Sequence, residues 1–292
     1  MTHQSIRRWL HVSLVPAFIC AVSLAALKAN EDAGFSTDIT VRQSRTMGDG
    51  KIVPNYFPTM RFRFERSQVR GRWQTVLTRL PQSPTDVVGA KDLHFKRPDD
   101  VARIEDDGDG MPRVYDQSGR VMRVPSLDDL VQLIGFGGPD RPLAPISASS
   151  KTLHDRYVSA VGGGRSGSPW SRGVGAGIMA LADAPQRKRE IERHLGRSVG
   201  TQKGLDRYLA KDGKTTREVL VEPGTSVPLE VNTAEDGTLV MHRRMAYQQD
   251  AAGRLFRIGQ HTERLQAHSG GQRAVTDVEF SNYRVGPKGG VR

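Results

Sequence analysis

Cysteine is almost missing from this sequence. Of 292 residues only Cys20 is one, and it sits in the first apolar stretch. A body without thiols can hold neither a disulfide framework nor a thiolate zinc site. Motifs with a catalytic mechanism are missing as well. The glycines from Gly162 to Gly164 have no lysine after them and no strand feeding them, so they do not make a phosphate-cradling loop. Gly164-Arg165-Ser166-Gly167-Ser168 misses the Gly-x-Ser-x-Gly elbow by its last residue. His94, His154, His194, His242, His261 and His268 are scattered without metal-ligand spacing. His154-Asp155 is a neighbouring pair in a loop region, not a positioned dyad. These absences favour a protein that is not an enzyme, leaving open a site formed only in space.

What is abundant is basic charge, glycine and proline. The chain has 43 Lys+Arg against 32 Asp+Glu, a formal net charge of +11, with 31 Gly and 16 Pro. The hydrophobic share is 37%, enough at this length for one large core or two small ones.

Arg7 and Arg8 precede an apolar run from Trp9 to Leu27, and small residues follow near Ala25, Ala26 and Ala29. A basic start, an apolar middle and small residues at the end are the three parts of a secretory signal. A twin-arginine leader and a lipid-modified Cys20 fit less well, because the residues after the arginines and Ile19 before the cysteine are wrong for them. The rival reading is an uncleaved anchor, since nineteen residues nearly reach the about 20 needed to span a bilayer. In both readings the two arginines keep the N-terminus inside and the body leaves the cytoplasm. The expected location is the periplasm or outer envelope of a bacterium. Nucleic acid is then excluded as a partner. A lipid or an anionic envelope surface suits a basic exported protein. Contact with the membrane is expected to be peripheral or through the N-terminal segment, and the sequence does not set the oligomeric state.

The fold class expected is mainly β (α+β): an antiparallel, half-barrel-like sheet with a few short helices and a glycine-rich central insertion. Residues 1–29 read as the signal, 30–137 as the first part of the sheet, 138–213 as a loop and helical insertion, 214–285 as the rest of the sheet and 286–292 as a tail. Met60-Arg61-Phe62-Arg63-Phe64-Glu65 alternates apolar with charged, which gives a sheet one dry and one wet face. Asp107-Gly108 and Asp109-Gly110 mark a turn between 102–104 and 113–115. Ser126 caps an expected helix with Leu127, Leu130, Val131 and Ile134 on one side. A second helix is expected from Asp183 to Gly196, and a third helical piece over Leu205 to Ala210. Asp116 to Arg120 and Asp250 to Arg254 share an Asp-x-x-x-Arg turn design with glycine in fourth place.

Two sets of candidate site residues follow. Glu105, Asp107, Asp109 and Asp116 fall at positions 1, 3, 5 and 12 of a stretch with Gly110 at position 6, which matches the oxygen spacing of a calcium loop. Against it stand a glutamate at position 1, Pro112 where an apolar residue usually pins the loop, and strand-like flanks; the other reading is a solvated acidic turn. No other cofactor is expected. Met60, Phe62 and Phe64 are the candidate ligand-binding residues, either as the lining of a lipid cavity or as ordinary core.

The strand Asp38-Ile39-Thr40-Val41-Arg42-Gln43, the Asp236-Gly237 hairpin and the closing strand Val278-Glu279-Phe280-Ser281-Asn282-Tyr283 together resemble the periplasmic outer-membrane lipoprotein-carrier (LolA-like) superfamily. The resemblance covers the first and last thirds. It implies an unclosed antiparallel barrel whose concave face, lined by large apolar side chains and plugged by short helices, holds acyl chains. It also implies no catalysis and no cofactor. The insertion over 138–213 departs from that pattern, and no position matches a carrier's functional arginine. The function expected is non-catalytic binding of an apolar or amphiphilic, lipid-like ligand in the cell envelope. The alternatives are a structural or protein-interaction module at the cell surface, or less readily a hydrolase. Intact mass of protein purified from the envelope checks the first step: a chain starting at Ala26, Leu27 or Asn30 is expected, and a full-length mass would mean an anchor.

Overall fold

The computed structural model describes residues 34–53, 59–69, 72–81, 101–107, 112–123, 179–180, 184–251, 253–265 and 271–286. The signal and its cleavage site, the 126–134 helix, the glycine-rich run over 138–178 and the 287–292 tail lie outside them.

The strands are β1 (Phe35–Thr46), β2 (Ile52–Val53), β3 (Met60–Val69), β4 (Arg72–Arg79), β5 (Val101–Asp106), β6 (Arg113–Asp116), β7 (Val121–Met122) and β8 (Met179–Ala180). One helix, α1 (Ala184–Leu195), follows among the described residues. The chain then continues through β9 (Gly200–Gln202), β10 (Leu205–Asp212), β11 (Thr215–Val221), β12 (Pro228–Glu235), β13 (Thr238–Gln249), β14 (Leu255–Leu265) and β15 (Arg273–Val285). They form a single antiparallel sheet in the order 7-6-5-4-3-1-15-14-13-12-11-10-9, with β2 beside β1 and β8 beside β14. Among the described residues the two ends, β7 and β9, do not pair, so the sheet is open. The mainly-β, half-barrel-like class expected from the sequence is the one observed.

Two meanders make up this order, and they are joined where the first strand meets the last. Phe35 lies opposite Val285 at one end of the β1–β15 ladder and Thr46 opposite Arg273 at the other. The register slips between Ser36 and Asp38. Side chains from both strands hold the slip in place. The Thr37 hydroxyl donates to the Ser281 carbonyl at 2.7 Å, and the Asn282 amide donates to Asp38 at 2.9 Å. Asn282 has φ 54°, a left-handed conformation that asparagine tolerates. Arg63 on β3 closes the group with Nε donating to Asp38 at 2.9 Å. Burial alone would raise the Asp38 carboxyl, but the hydrogen bonds from Arg63 and Asn282 outweigh it and hold the acid below its ordinary value.

Tight turns set the register of the second meander. Lys203-Gly204 joins β9 to β10 and Asp236-Gly237 joins β12 to β13, with all four residues at positive φ. That is the two-residue turn whose twist suits a hairpin. The Asp116 and Asp250 turns are built alike. In each, the first carboxylate oxygen accepts the amide four residues on and the second accepts the same arginine's Nε, while the fourth residue, Gly119 or Gly253, takes φ 78°.

The second helix appears as expected. Pro185 lies in its first turn, where a missing amide hydrogen costs nothing. Gly196 at φ 89° ends it by donating to the Glu192 carbonyl at 2.9 Å. The third helical piece is not there. Leu205 to Ala210 belongs to strand β10, because Tyr208 and Ala210 face inward opposite Val219 and Arg217 and the Lys203-Gly204 turn commits the chain to a hairpin. The insertion expected over 138–213 therefore ends earlier, since residues 200–202 and 205–212 lie in the sheet.

Alternation sorts the strands into an inner and an outer face. Two buried clusters lie on the inner one. The larger crosses β5, β4, β3, β1, β15 and β14, with Phe64, Phe35 and Ile104 fully enclosed. The smaller packs Ile191 and Leu195 of α1 against Tyr208, Val219, Val231 and Met245. Replacing Phe64, which is 0% exposed, by alanine is expected to cost about 3–5 kcal/mol through lost burial and a residual void. Exposed Ile52→Ala, at 62% exposure, is expected to stay within about 0.5 kcal/mol. Urea denaturation of the two variants checks both values.

Candidate ligand-binding face

Met60, Phe62 and Phe64 alternate along β3, so all three point to the inner face. Cross-strand pairing extends each of them into a row. Met60 faces Val41, which faces Val278; Phe62 faces Ile39, which faces Phe280. Phe64 faces Leu77, and that row continues through Ile104 to Val114. The Phe64 and Phe35 rings lie 5.4 Å apart, a tilted contact. The three candidate residues are thus brought together in one apolar surface. They are 2%, 3% and 0% exposed, so the surface is closed to solvent.

A band of polar side chains runs along β14, between this surface and the cluster under α1. Arg257 donates to the Tyr247 hydroxyl at 3.0 Å and to the Gln260 side-chain carbonyl at 2.9 Å. Gln260 and Arg243 both donate to the Thr262 hydroxyl, each at 3.3 Å. The Tyr283 hydroxyl donates to the Arg257 carbonyl, and its ring lies 4.7 Å from Phe256. Burial raises the Tyr283 hydroxyl far above its ordinary value and pushes Tyr208 up to about 12, the latter helped by the charges of Asp206 and Glu192. Both phenols therefore stay neutral, and that of Tyr283 acts as a donor. The band was not legible in the sequence. Arg243, Arg257 and Gln260 lie in runs where apolar and polar residues do not alternate, and that failure was the one signal they left.

The carboxylates of the expected calcium loop are placed differently. Glu105 lies opposite Arg113 and Asp116 opposite Val101, four positions along the β5–β6 ladder, or about 13 Å. Glu105 accepts from the Tyr115 hydroxyl at 2.9 Å and pairs with Arg103 at 2.6 Å. Asp107 pairs with Arg113 at 3.2 Å. The Asp116 oxygens are taken up by its own turn. The Ser118 hydroxyl and the Arg120 and Ser118 amides, with the Arg120 charge, bring its pKa down to about 2. Asp109 lies outside the described residues. Among the described residues no group of three His, Cys, Asp or Glu is arranged to hold a metal.

The outer face gathers a histidine cluster that the spacing of residues did not reveal. His261 Nδ1 lies 2.7 Å from Asp277 and its Nε2 3.1 Å from Glu263. His242 lies opposite Glu263 and 3.3 Å from Glu230. Strands bring these residues together at positions too distant in sequence for any motif. Carboxylates face both ring nitrogens, which favours the protonated form of His261.

No protein-family model matches the chain, and no curated protein matches it. Among solved structures, a LolA superfamily protein from Nitrosomonas europaea is similar over 89% of this chain and 92% of its own, at 11% identity and a TM-score of 0.38. At that identity and TM-score nothing about this chain's function follows from the likeness.

Partial burial would lower the His261 pKa, but the hydrogen bonds and charges of Asp277 and Glu263 outweigh it and raise it above its ordinary value. A histidine raised on folding adds stability that is complete below its unfolded pKa and is lost as pH rises through the folded one. The urea midpoint is therefore expected to fall between about pH 6 and about pH 9, with a smaller fall in His261→Gln. Equal slopes for the two proteins would contradict this placement.

Proposed function

We propose that this chain is a non-catalytic binding protein of the bacterial cell envelope that takes an apolar or amphiphilic, lipid-like ligand on the inner face of its sheet. The observation that carries the reading is the continuity of apolar side chains across the rows through Met60, Phe62 and Phe64 on an open sheet. An open sheet, unlike a closed barrel of the same strands, leaves a face that an elongated ligand approaches from the side. Because those residues are closed to solvent, a chain-like guest enters by replacing contacts already made there. Such an exchange of apolar contacts is nearly neutral in energy, which suits a protein that has to release what it carries.

The signal-like N-terminus supports export to the periplasm or outer envelope. The basic charge supports an anionic envelope surface, and not nucleic acid, as the larger partner. A cofactor has no role in this reading.

A protein-interaction module at the cell surface draws less support. The two path ends of the sheet, β7 and β9, are two and three residues long, and short edges make poor templates for a partner strand. A hydrolase has less still. The one described histidine with a carboxylate at each ring nitrogen lies on the outer face, with both nitrogens engaged.

Delipidated protein is expected to take up a fluorescent fatty acid saturably at micromolar concentration and to release it to unlabelled oleate. A protein that is folded by circular dichroism and shows no uptake would remove the apolar ligand and leave the interaction module in its place.

A further inference from the structure

The inner face changes character along its strands. One residue pair beyond the row of Met60, Val41 and Val278, about 7 Å along the strands, the side chains turn polar and then cationic. In the first such row Arg243, Thr262, Thr276 and Gln43 stand opposite one another across β13, β14, β15 and β1. In the next, Arg217, Arg264 and Arg45 are linked through Thr233, Met241 and Ala274. Residues directly opposite on paired strands project from the same face, so four guanidinium groups share the inner side. Arg264 lies two strands from Arg45, about 10 Å, and Arg243 is its diagonal neighbour at roughly 7–8 Å.

Two further observations set this end of the face apart. Gln43 is 5% exposed, and its side-chain Nε2 has no hydrogen-bond partner among the described residues. A buried donor left without an acceptor costs free energy and calls for one. Arg264 forms no salt bridge with a described carboxylate. Burial disfavours its charge most, the charge of Arg243 adds to this, and Glu235 offsets the two in part. Arg264 differs in this from arginines on the outer face: Arg42 pairs with Glu279 at 3.0 Å, Arg63 with Asp38 at 2.9 Å and Arg207 with Glu218 at 2.5 Å. A partly dehydrated strip rich in guanidinium groups, next to an apolar surface, is complementary to one kind of molecule, an apolar chain that ends in an anion.

We propose that Arg264, Arg243, Arg217 and Arg45, with the Gln43 amide, form a subsite for the phosphate or carboxylate headgroup of an anionic amphiphile whose chain lies on the adjoining apolar rows. This rests on the reading of the inner face as a ligand site and names the chemistry that the site selects. Guanidinium groups meet phosphate or carboxylate oxygens through paired, charge-assisted hydrogen bonds, which suits them better than lysines to a partly buried anion.

The test is isothermal titration of the full chain with two lipids of identical tail, lauroyl-glycerol 3-phosphate and monolauroylglycerol, each below its micelle concentration and at low salt. The phosphorylated lipid is expected to bind at least about tenfold more tightly. Arg264→Gln and Arg243→Gln are each expected to cut that preference by about fivefold or more, the loss falling mainly on the phosphorylated lipid. Equal affinity of the wild type for both lipids overturns the subsite and leaves the apolar site standing. A preference that survives both substitutions overturns it too. A second readout is the melting temperature without ligand. Because Arg264 sits beside a like charge, Arg264→Gln is expected to melt at the wild-type temperature or above it, and a clear drop would make the arginine a structural group and overturn the proposal. Inorganic phosphate separates the two readings. If neither lipid binds, but phosphate raises the melting temperature of the wild type and not of Arg264→Gln, the anion site stands and the apolar ligand fails. If phosphate has no effect either, both fail.

Discussion

Each step of one residue along a strand turns a side chain to the opposite face of the sheet, and hydrogen bonding edge to edge carries that alternation through thirteen strands in series. Every other property of the molecule depends on it. The outer face brings opposite charges together, such as Arg42 with the diagonal Glu279, where water weakens each pair and none contributes much alone. The inner face holds the large apolar groups that supply most of the stability. A slip of one residue anywhere in the path would exchange the two faces beyond that point. The fold therefore commits specific interactions to register: left-handed residues in the two-residue turns, paired Asp–Arg turns, and the Thr37, Asp38 and Asn282 contacts at the one irregular place in the central ladder.

That irregular place also explains the closing strand. Ser281 supplies a carbonyl for Thr37, Asn282 an amide for Asp38, and Tyr283 a hydroxyl for the backbone of Arg257. The first two fix where β1 meets β15. The third ties β15 to β14 across the polar band. A short sequence pattern that reads as a family signature is here a set of three hydrogen bonds at the seam between two meanders.

Much of the sheet was legible because its signals are local. Met60 to Glu65 alternates within one strand, Asp236-Gly237 is a complete turn in two residues, and the Asp116 and Asp250 turns close within five. The helix ending at Gly196 carried its own stop signal. Strand β10 is not legible in its own stretch, because Leu205 to Ala210 is short and helix-compatible by itself; what decides it is pairing with β11, together with the Lys203-Gly204 turn whose lysine is no usual turn former. The site was legible only in its apolar half. Met60, Phe62 and Phe64 announce a face, but the arginines that border it come from β1, β11, β13 and β14, and no spacing in one stretch of chain connects Arg45 to Arg264. The His261 cluster is hidden in the same way, since its partners sit two and sixteen residues away on strands whose register the turns set.

The position of β1 bears on how the molecule is made. Among the described strands it is the first to leave the ribosome, and its partner on one side, β15, is the last. Until β15 emerges, the edge of β1 that it covers stays unpaired, and contacts between residues more than two hundred positions apart form slowly. The middle of the sheet is thus the part completed last. A sheet of this design reaches its final order only once β15 has joined its two meanders. The same delay leaves that edge open to strand-to-strand association in the meantime.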